Sequence, residues 1–469
     1  MNWQNWAGTA SASPARRYWP RSTEEIADAV TSAARDGLTV RALGSGHSFT
    51  PAAVTSGAAL DLSGWNGIVS ADLASGLVTV RSGTTIRELN AALDALGLAM
   101  ANMGDIDAQT VSGAISTGTH GTGAKLTGIA AQVAGLELVL ADGSAVSCSA
   151  SERPGLFDAA RVSIGALGVL ATVTLQCVPA FTLAADERPM PLEEVLGRFG
   201  ELAADNDHFE FYWFPYGKNA LVKRNNRISP GDGTPARSPG GTTPANPPEA
   251  PAARPMARGA VVPGAREALV PPPMPRWRRF LEYEVMENAA FGSLCRTGRA
   301  IPAAIKPLNR LAAASLSKRS YSAPSHQVFV TSRRVKFVES EYAVPVEALL
   351  DVLAELRAGV ARLADAVMFP VEVRVAAADD VWLSTAYGRD SAYVAIHQYT
   401  GLPYREYFKL FESIAGSVGG RPHWGKMHVR DAAYLGSAYP RFADFLKIRD
   451  ETDPSRLFTN AYLEQVFGA

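Results

Sequence analysis

Apolar residues recur at helical spacing at Ile26, Val30, Ala33 and Ala34, behind Ser22 and Glu25 in capping-box register and ahead of Gly37. The spacing predicts a helix, followed at once by a strand from Leu38 to Leu43. Two short β-type runs come next, Gly67 to Asp72 and Gly76 to Arg81. Ile86, Leu89, Leu93 and Leu96 then mark a second helix, closed by Gly97. Val133 to Leu140 and Ala145 to Cys148 flank Asp142-Gly143, a strong hairpin signal. Ala171 to Val178, rich in Val, Thr and Leu, predicts a further strand. Helices and strands alternate with short connections, which predicts an α+β domain built on small sheets.

The pattern changes after about residue 180. Phe209 to Pro215 is an aromatic strand by composition. Residues 229–275 are rich in Pro, Gly, Ala and Arg and nearly free of large apolar residues, so they cannot bury enough surface to offset ordering. They are expected to form a flexible insertion. Arg334 to Phe337 alternates basic and apolar, as a strand with one wet face does. Leu349, Leu353, Leu356, Val360 and Leu363 predict an amphipathic helix. Val371 to Val375 and Ala392 to Tyr399 predict two more strands in a second sheet-and-helix layer.

A chain of 469 residues leaves room for two domains. Lys and Arg total 45 against 46 Asp and Glu, which gives no electrostatic footprint for nucleic acid. Three cysteines, Cys148, Cys177 and Cys295, are too few and too scattered for a disulfide framework, and fit a reducing compartment. No secretory signal and no membrane-spanning run is expected, so the reading is cytoplasmic, with peripheral membrane contact left open.

Chemistry concentrates in the glycines. Gly44-Ser45-Gly46-His47-Ser48 follows the first predicted strand. Glycine permits positive φ and close backbone approach, and successive N–H groups make an anion-binding concavity. The ten residues around it read equally well as a diphosphate cradle with His47 at its rim or as a tight turn. Phe49 stands where a dinucleotide G-x-G-x-x-G fingerprint needs its third glycine, which argues against a Rossmann site. A second stretch, Gly113 to Gly123, holds four glycines, four hydroxyl residues and His120, and predicts a backbone that wraps a ligand rather than a helix. On the strand 371–375, alternation puts Glu372 and Arg374 on one face. His397 is a lone histidine on the next strand. His423 and His428 are badly spaced for a helical metal site, and no metal is expected.

Gly44-Ser45-Gly46-His47-Ser48-Phe49, Thr117-Gly118-Thr119-His120-Gly121-Thr122-Gly123, Gly165-Ala166-Leu167-Gly168, Glu372-Val373-Arg374 and His423-Trp424-Gly425-Lys426 occur in this order in another group of proteins. The chain thereby resembles the sugar-lactone and alditol oxidases among vanillyl-alcohol-oxidase-type flavoproteins. Within them it most resembles actinobacterial L-gulono-1,4-lactone dehydrogenases and D-arabinono-1,4-lactone oxidases. The resemblance implies an α+β fold with a two-subdomain FAD-binding domain (residues 1–180) and a substrate or cap domain (181–430). A C-terminal segment (431–469) would complete the active site. It implies FAD carried covalently on His47. Gly44, Ser45, Gly46, Ser48, Gly104, Asp105, Ser112, Gly113, Ser116, Thr117, Gly118, His120, Gly121, Gly168, Val169 and His423 would bind the cofactor. Glu372, Arg374, Lys426 and His397 would be catalytic. The implied substrate is L-gulono-, L-galactono- or D-arabinono-1,4-lactone, giving an ascorbate-type product. The implied electron acceptor is oxygen, a quinone or a cytochrome. Asp105 replaces a serine of alditol-oxidising relatives, which favours a lactone over a sugar alcohol. A sugar-alcohol oxidase and an inactive flavin-binding protein are the alternatives.

Overall fold

The computed structural model describes residues 2–228 and 270–468. Most of the expected insertion, 229–269, lies outside the described residues. Its last residues are drawn onto a sheet edge, where Pro272 O accepts from the Ser322 N–H at 3.3 Å.

The first helix, Thr23–Arg35, begins where the capping signal placed it. Ser22 Oγ accepts from the Glu25 N–H at 3.1 Å, but the Glu25 carboxylate turns to the Arg21 N–H, so the box closes one residue early. Ile26, Ala29, Val30 and Ala33 are its buried stripe, and Ala34 is exposed. The stripe lies on a three-stranded parallel sheet ordered Arg16–Tyr18, Ala58–Asp61, Val40–Leu43. A five-stranded antiparallel sheet follows, ordered Ala145–Ser149, Val133–Val139, Val169–Gln176, Leu77–Arg81, Ile68–Asp72. The Asp142-Gly143 hairpin joins its first two strands, with Gly143 at φ +84.

The glycine-rich stretch after residue 110 departs from its expectation. Val111–Ser116 is a helix. Thr110 Oγ1 accepts from the Gly113 N–H at 3.2 Å, and Val111, Ala114 and Ile115 are fully buried. A capped first turn and three buried apolar side chains outweigh one glycine, whose cost is about 1 kcal/mol.

The second layer is an eight-stranded antiparallel sheet. Its order is Arg319–Pro324, Thr182–Pro191, Asn219–Arg227, His208–Trp213, Val371–Ala376, Ser391–Tyr399, Phe337–Pro345, Arg421–Pro422. Helices Leu349–Arg362 and Arg405–Ser417 cover one face, burying Leu353, Leu356 and Phe411 against Val373, Val394 and Ile396. The other face carries the polar residues described below. Arg334 to Lys336 is irregular, and the strand begins only at Phe337. Flanked by neighbours on both sides, it is buried from Phe337 to Val344, so the expected wet face is absent.

Helices Ala432–Ala438, Phe442–Thr452 and Ala461–Phe467 return to the first domain. Leu435, Phe445, Leu463 and Val466 share a core with Leu138 and Val173 of the five-stranded sheet. The Val40 N–H donates to Leu457 O at 2.8 Å, and Arg41 reaches Phe458 O at 3.0 Å. Asn460 Nδ2 donates to three carbonyls between residues 51 and 54. Among the described residues no helix is long and apolar enough to cross a membrane.

Candidate active site

Two hollows meet at His47. The smaller, about 110 Å³, runs beneath the Gly44–Ser48 turn, along the Thr110–Thr117 segment and past the loop Ile164–Gly168. The larger, about 680 Å³, opens between the first domain and the polar face of the eight-stranded sheet. His47, Ser48, Gln109 and Thr117 line both.

Small residues line much of the smaller hollow. Gly44, Ser45, Gly46, Ser112, Gly113, Ser116 and Gly168 all line it. Gly46 sits at φ +72. A Cβ on Gly44 would stand 2.8 Å from Thr110 Oγ1 and fill the space. Opposite, Ile164 takes φ +53, a strained conformation for a β-branched residue. Arg41 holds it there: its guanidinium donates to Ile164 O at 2.6 Å and Gly165 O at 2.9 Å. Burial lowers the Arg41 pKa to about 10, with Arg449 adding to the effect.

His47 stacks on Trp6, ring centroids 6.1 Å apart. Burial lowers its pKa and nearby Lys426 lowers it further, while Asp107 opposes them. The imidazole is therefore neutral near pH 7, with a lone pair to give.

The polar wall starts with Glu372 and Arg374, which share a strand face as expected but are buried and ion-paired to each other. Tyr212 donates to Glu372 Oε1 at 2.9 Å, and Arg374 Nε donates to Glu210 Oε2 at 2.8 Å. Lys223 holds the other Glu210 oxygen at 3.1 Å. Burial pushes the Glu210 carboxyl up, but Lys223 and Arg374 outweigh it and bring it to about 2. Arg333 pairs with Asp105 across the cleft and lies 3.7 Å from Glu372 Oε2. An exposed pair of this kind is worth about 0–1 kcal/mol, whereas removing one partner of a buried pair costs about 3–5 kcal/mol.

Lys426 lines the cleft and binds Glu339 Oε2 at 2.5 Å. His397 stands behind this wall rather than on it. Its Nδ1 donates to Pro370 O at 3.0 Å. Its Nε2 has no hydrogen-bond partner and lies 3.4 Å from Glu339 Oε1 and 3.9 Å from Glu372 Oε2.

The fold also makes a cluster that the sequence reading did not contain. One ligand atom each of His120, Glu341 and His423 lie within 4.8 Å of one another. The three come from segments far apart in the chain. Their hydrogen bonds close on themselves. His120 Nδ1 donates to Gly121 O at 2.9 Å, and its Nε2 meets Glu341 Oε1 at 2.8 Å. Burial raises the Glu341 pKa, but His120 beside it brings it down to about 2. His423 Nδ1 accepts from the Gly425 N–H at 3.0 Å, and burial lowers its pKa to about 4. Little lone-pair capacity is left over for a cation.

Gly104, Asp105, His120 and His423 line the larger hollow. A Cβ on Gly104 would meet His120 O and Thr119 Cγ2 at 3.1 Å, so packing alone accounts for that glycine. Gly118, Gly121 and Val169 line neither hollow. Gly121 is crowded by Asn102 and Met103, and the Val169 side chain belongs to the core. Helices 432–467 also line neither hollow, and Tyr462 instead buttresses the 423–428 turn through Trp424 O and His428 Nε2. Sequence reasoning missed Glu210, Arg333, Glu339 and Glu341. The last two had a usable signal, since Glu339 and Glu341 are two apart on a strand, as Glu372 and Arg374 are.

A D-arabinono-1,4-lactone oxidase profile matches residues 173–243 and 254–466, and an FAD-binding-domain profile matches residues 14–149. The chain belongs to the D-arabinono-1,4-lactone oxidase family. Over 466 residues it is 38% identical to an L-gulono-1,4-lactone dehydrogenase of Mycobacterium tuberculosis, covering 99% of each chain. It is 32% identical to the L-gulonolactone oxidase of Mus musculus over 100% of this chain and 98% of that one. Among solved structures, a cholesterol oxidase from B. sterolicum aligns with a TM-score of 0.77 at 15% identity, over 99% of this chain and 96% of that one. That likeness concerns the fold, an FAD-binding α+β domain with a second α+β domain. FAD is the cofactor of this family member, and the cradle of glycines and hydroxyl residues beneath Gly44–Ser48 suits a diphosphate.

Proposed function

We propose that the protein oxidises an aldono-1,4-lactone of the gulono, galactono or arabinono type with FAD, giving an ascorbate-type product. The observation that carries the reading is the ion-paired array Glu372–Arg374–Glu339–Lys426, which lines the same cleft as His47. Bound FAD supplies a hydride acceptor at N5. The chain supplies the rest. His47 holds the cofactor covalently through a ring nitrogen. Glu372 Oε1 is occupied by Tyr212 and Arg374, which leaves Oε2 to accept the hydrogen bond of the reacting hydroxyl. The proton moves toward Oε2, with His397 Nε2 behind it and Glu339 steadying the charge. Lys426 and Arg374 place positive charge where negative charge accumulates in the reaction. The Asp105–Arg333 pair closes the far wall with two charged groups, which suits a polar lactone carbonyl. A reducing compartment fits the three buried free cysteines.

Anaerobic mixing with a substrate panel tests this. L-gulono- or L-galactono-1,4-lactone should bleach the flavin, and admitting air should then show whether oxygen alone restores the colour. Bleaching by xylitol but by no lactone would assign a sugar-alcohol oxidase instead. Bleaching by nothing would leave a binding protein.

A further inference from the structure

Residues 3–12 form a small hairpin against the turn that carries His47. Trp3–Gln4 pairs antiparallel with Ser11–Ala12. Strands this short do not hold together alone in water, and bonds to the turn secure them. The Trp6 N–H donates to Gly46 O at 2.8 Å. Asn5 Nδ2 donates to Ser48 O at 2.9 Å, and Thr9 Oγ1 to Phe49 O at 2.9 Å. Asn5 is buried, and its Oδ1 accepts from the Ala10 N–H at 3.1 Å, so one side chain closes the hairpin loop and grips the turn. The backbone is thereby fixed on both sides of His47.

The imidazole is held differently. Among the described residues no group hydrogen-bonds either ring nitrogen of His47, whereas His120, His208, His397, His423 and His428 each have a bonded nitrogen. The second torsion of histidine is broad, so an anchored backbone alone leaves the ring plane free to swing. What faces the ring is the Trp6 indole, in an offset stack with 22° between the planes. The indole is itself wedged. It meets Phe49 and Phe337 edge-on, with centroids 6.3 and 5.3 Å away, and Phe337 belongs to the eight-stranded sheet. The plane of His47 is thus referenced to both domains.

A nitrogen that bonds to carbon must aim its lone pair along one line, and poor aim costs rate rather than affinity. We propose that Trp6 is a positioning residue for the attachment of FAD, holding the His47 imidazole in the plane from which it bonds. This rests on the covalent reading of His47 given above. In that step a His47 nitrogen bonds the carbon of the flavin 8-methyl group. The methyl gives up one hydrogen with its bonding electrons, and the imidazole gives up its N–H proton. The two electrons and two protons stay with the flavin until oxygen or another acceptor removes them.

Full-length apoprotein mixed with FAD in air tests the proposal. Quenching of flavin fluorescence reports uptake, and flavin retained in the acid-precipitated pellet reports the bond. Trp6→Leu keeps an apolar side chain against Phe49 and Phe337 but removes the ring. It should take up FAD within about twofold of the parent's affinity and link it at least about tenfold more slowly. Trp6→Phe should link at close to the parent rate. Linkage by Trp6→Leu at the parent rate overturns the proposal. So does equal slowing in Trp6→Phe, or a fall in uptake as large as the fall in linkage, either of which would make Trp6 a packing residue only. A colourless pellet from the parent protein overturns the covalent reading itself, and this proposal with it.

Discussion

Glu339 binds two of the proposed catalytic groups with one carboxylate, Lys426 on Oε2 and His397 near Oε1. Burial alone would raise its pKa, yet Lys426 and His397 hold it well below the usual carboxylate range. The wall is thus charged before any substrate arrives. His47 is tuned the other way. Because its pKa is lowered, its neutral fraction at a given acidic pH exceeds that of a free histidine. Apoprotein given FAD should therefore lose less of its rate of forming an acid-stable yellow product between about pH 8 and about pH 6 than the titration of a free imidazole would dictate. His47→Ala should release all its colour on acid precipitation, and a yellow pellet from that variant would end the proposed linkage. Glu372, Arg374 and Lys426 were legible because each sits in a short pattern or motif. Glu339 and Glu341 share the two-apart spacing of Glu372 and Arg374, but the run before them reads as a wet strand face, which masks it. The strand lies inside its sheet, and a wet face is a property of position that the pattern does not encode.

Among the elements, the loop Ile164–Gly168 shows how the cradle is held. Ile164 at φ +53 and Gly165 at φ +67 form a left-handed step that the chain would not keep unaided. Arg41, on the opposing strand, supplies the missing donors. Arg41→Met would strip three carbonyls of their partner and should lower stability by about 3 kcal/mol. Thermal melting measures the loss, and faster appearance of flavin fluorescence on heating should accompany it. An unchanged melting temperature would show that the loop supports itself. Elements set by local chemistry were readable in advance: the hairpin at Asp142-Gly143, and the helix Ile86–Ala95 with its complete Thr85–Glu88 capping box. Val111–Ser116 was not, because glycine composition argued against a helix that a cap and tertiary burial then stabilised.

The molecule as a whole stores its response to acid in buried histidines. Burial holds His208 and His423 at about 4 and His428 at about 3, against an ordinary 6.5. The unfolded chain binds protons below 6.5 that the folded one refuses. The stability these groups contribute is therefore complete above 6.5 and is lost as pH falls toward 4. Glu210 and Glu341, held at about 2 instead of 4.5, extend the loss below 4.5. The melting temperature of the FAD-loaded protein should be level above about pH 7 and fall steadily from about 6.5 to about 4.5; a level curve over that interval would contradict the assignment. The two-domain α+β plan was legible from element order. The return of helices 432–467 to the first domain was not, because their side chains carry no motif and their partners lie some three hundred residues upstream. That return has a consequence for biosynthesis. The strand bearing Val40 and Arg41 is closed by Leu457 and Phe458, and the turn after it by Asn460. An earlier-made part of the protein is thus completed by a much later one. A nascent chain halted upstream lacks the Leu457 and Phe458 carbonyls that Val40 and Arg41 engage, and so should hold FAD less firmly than the finished protein.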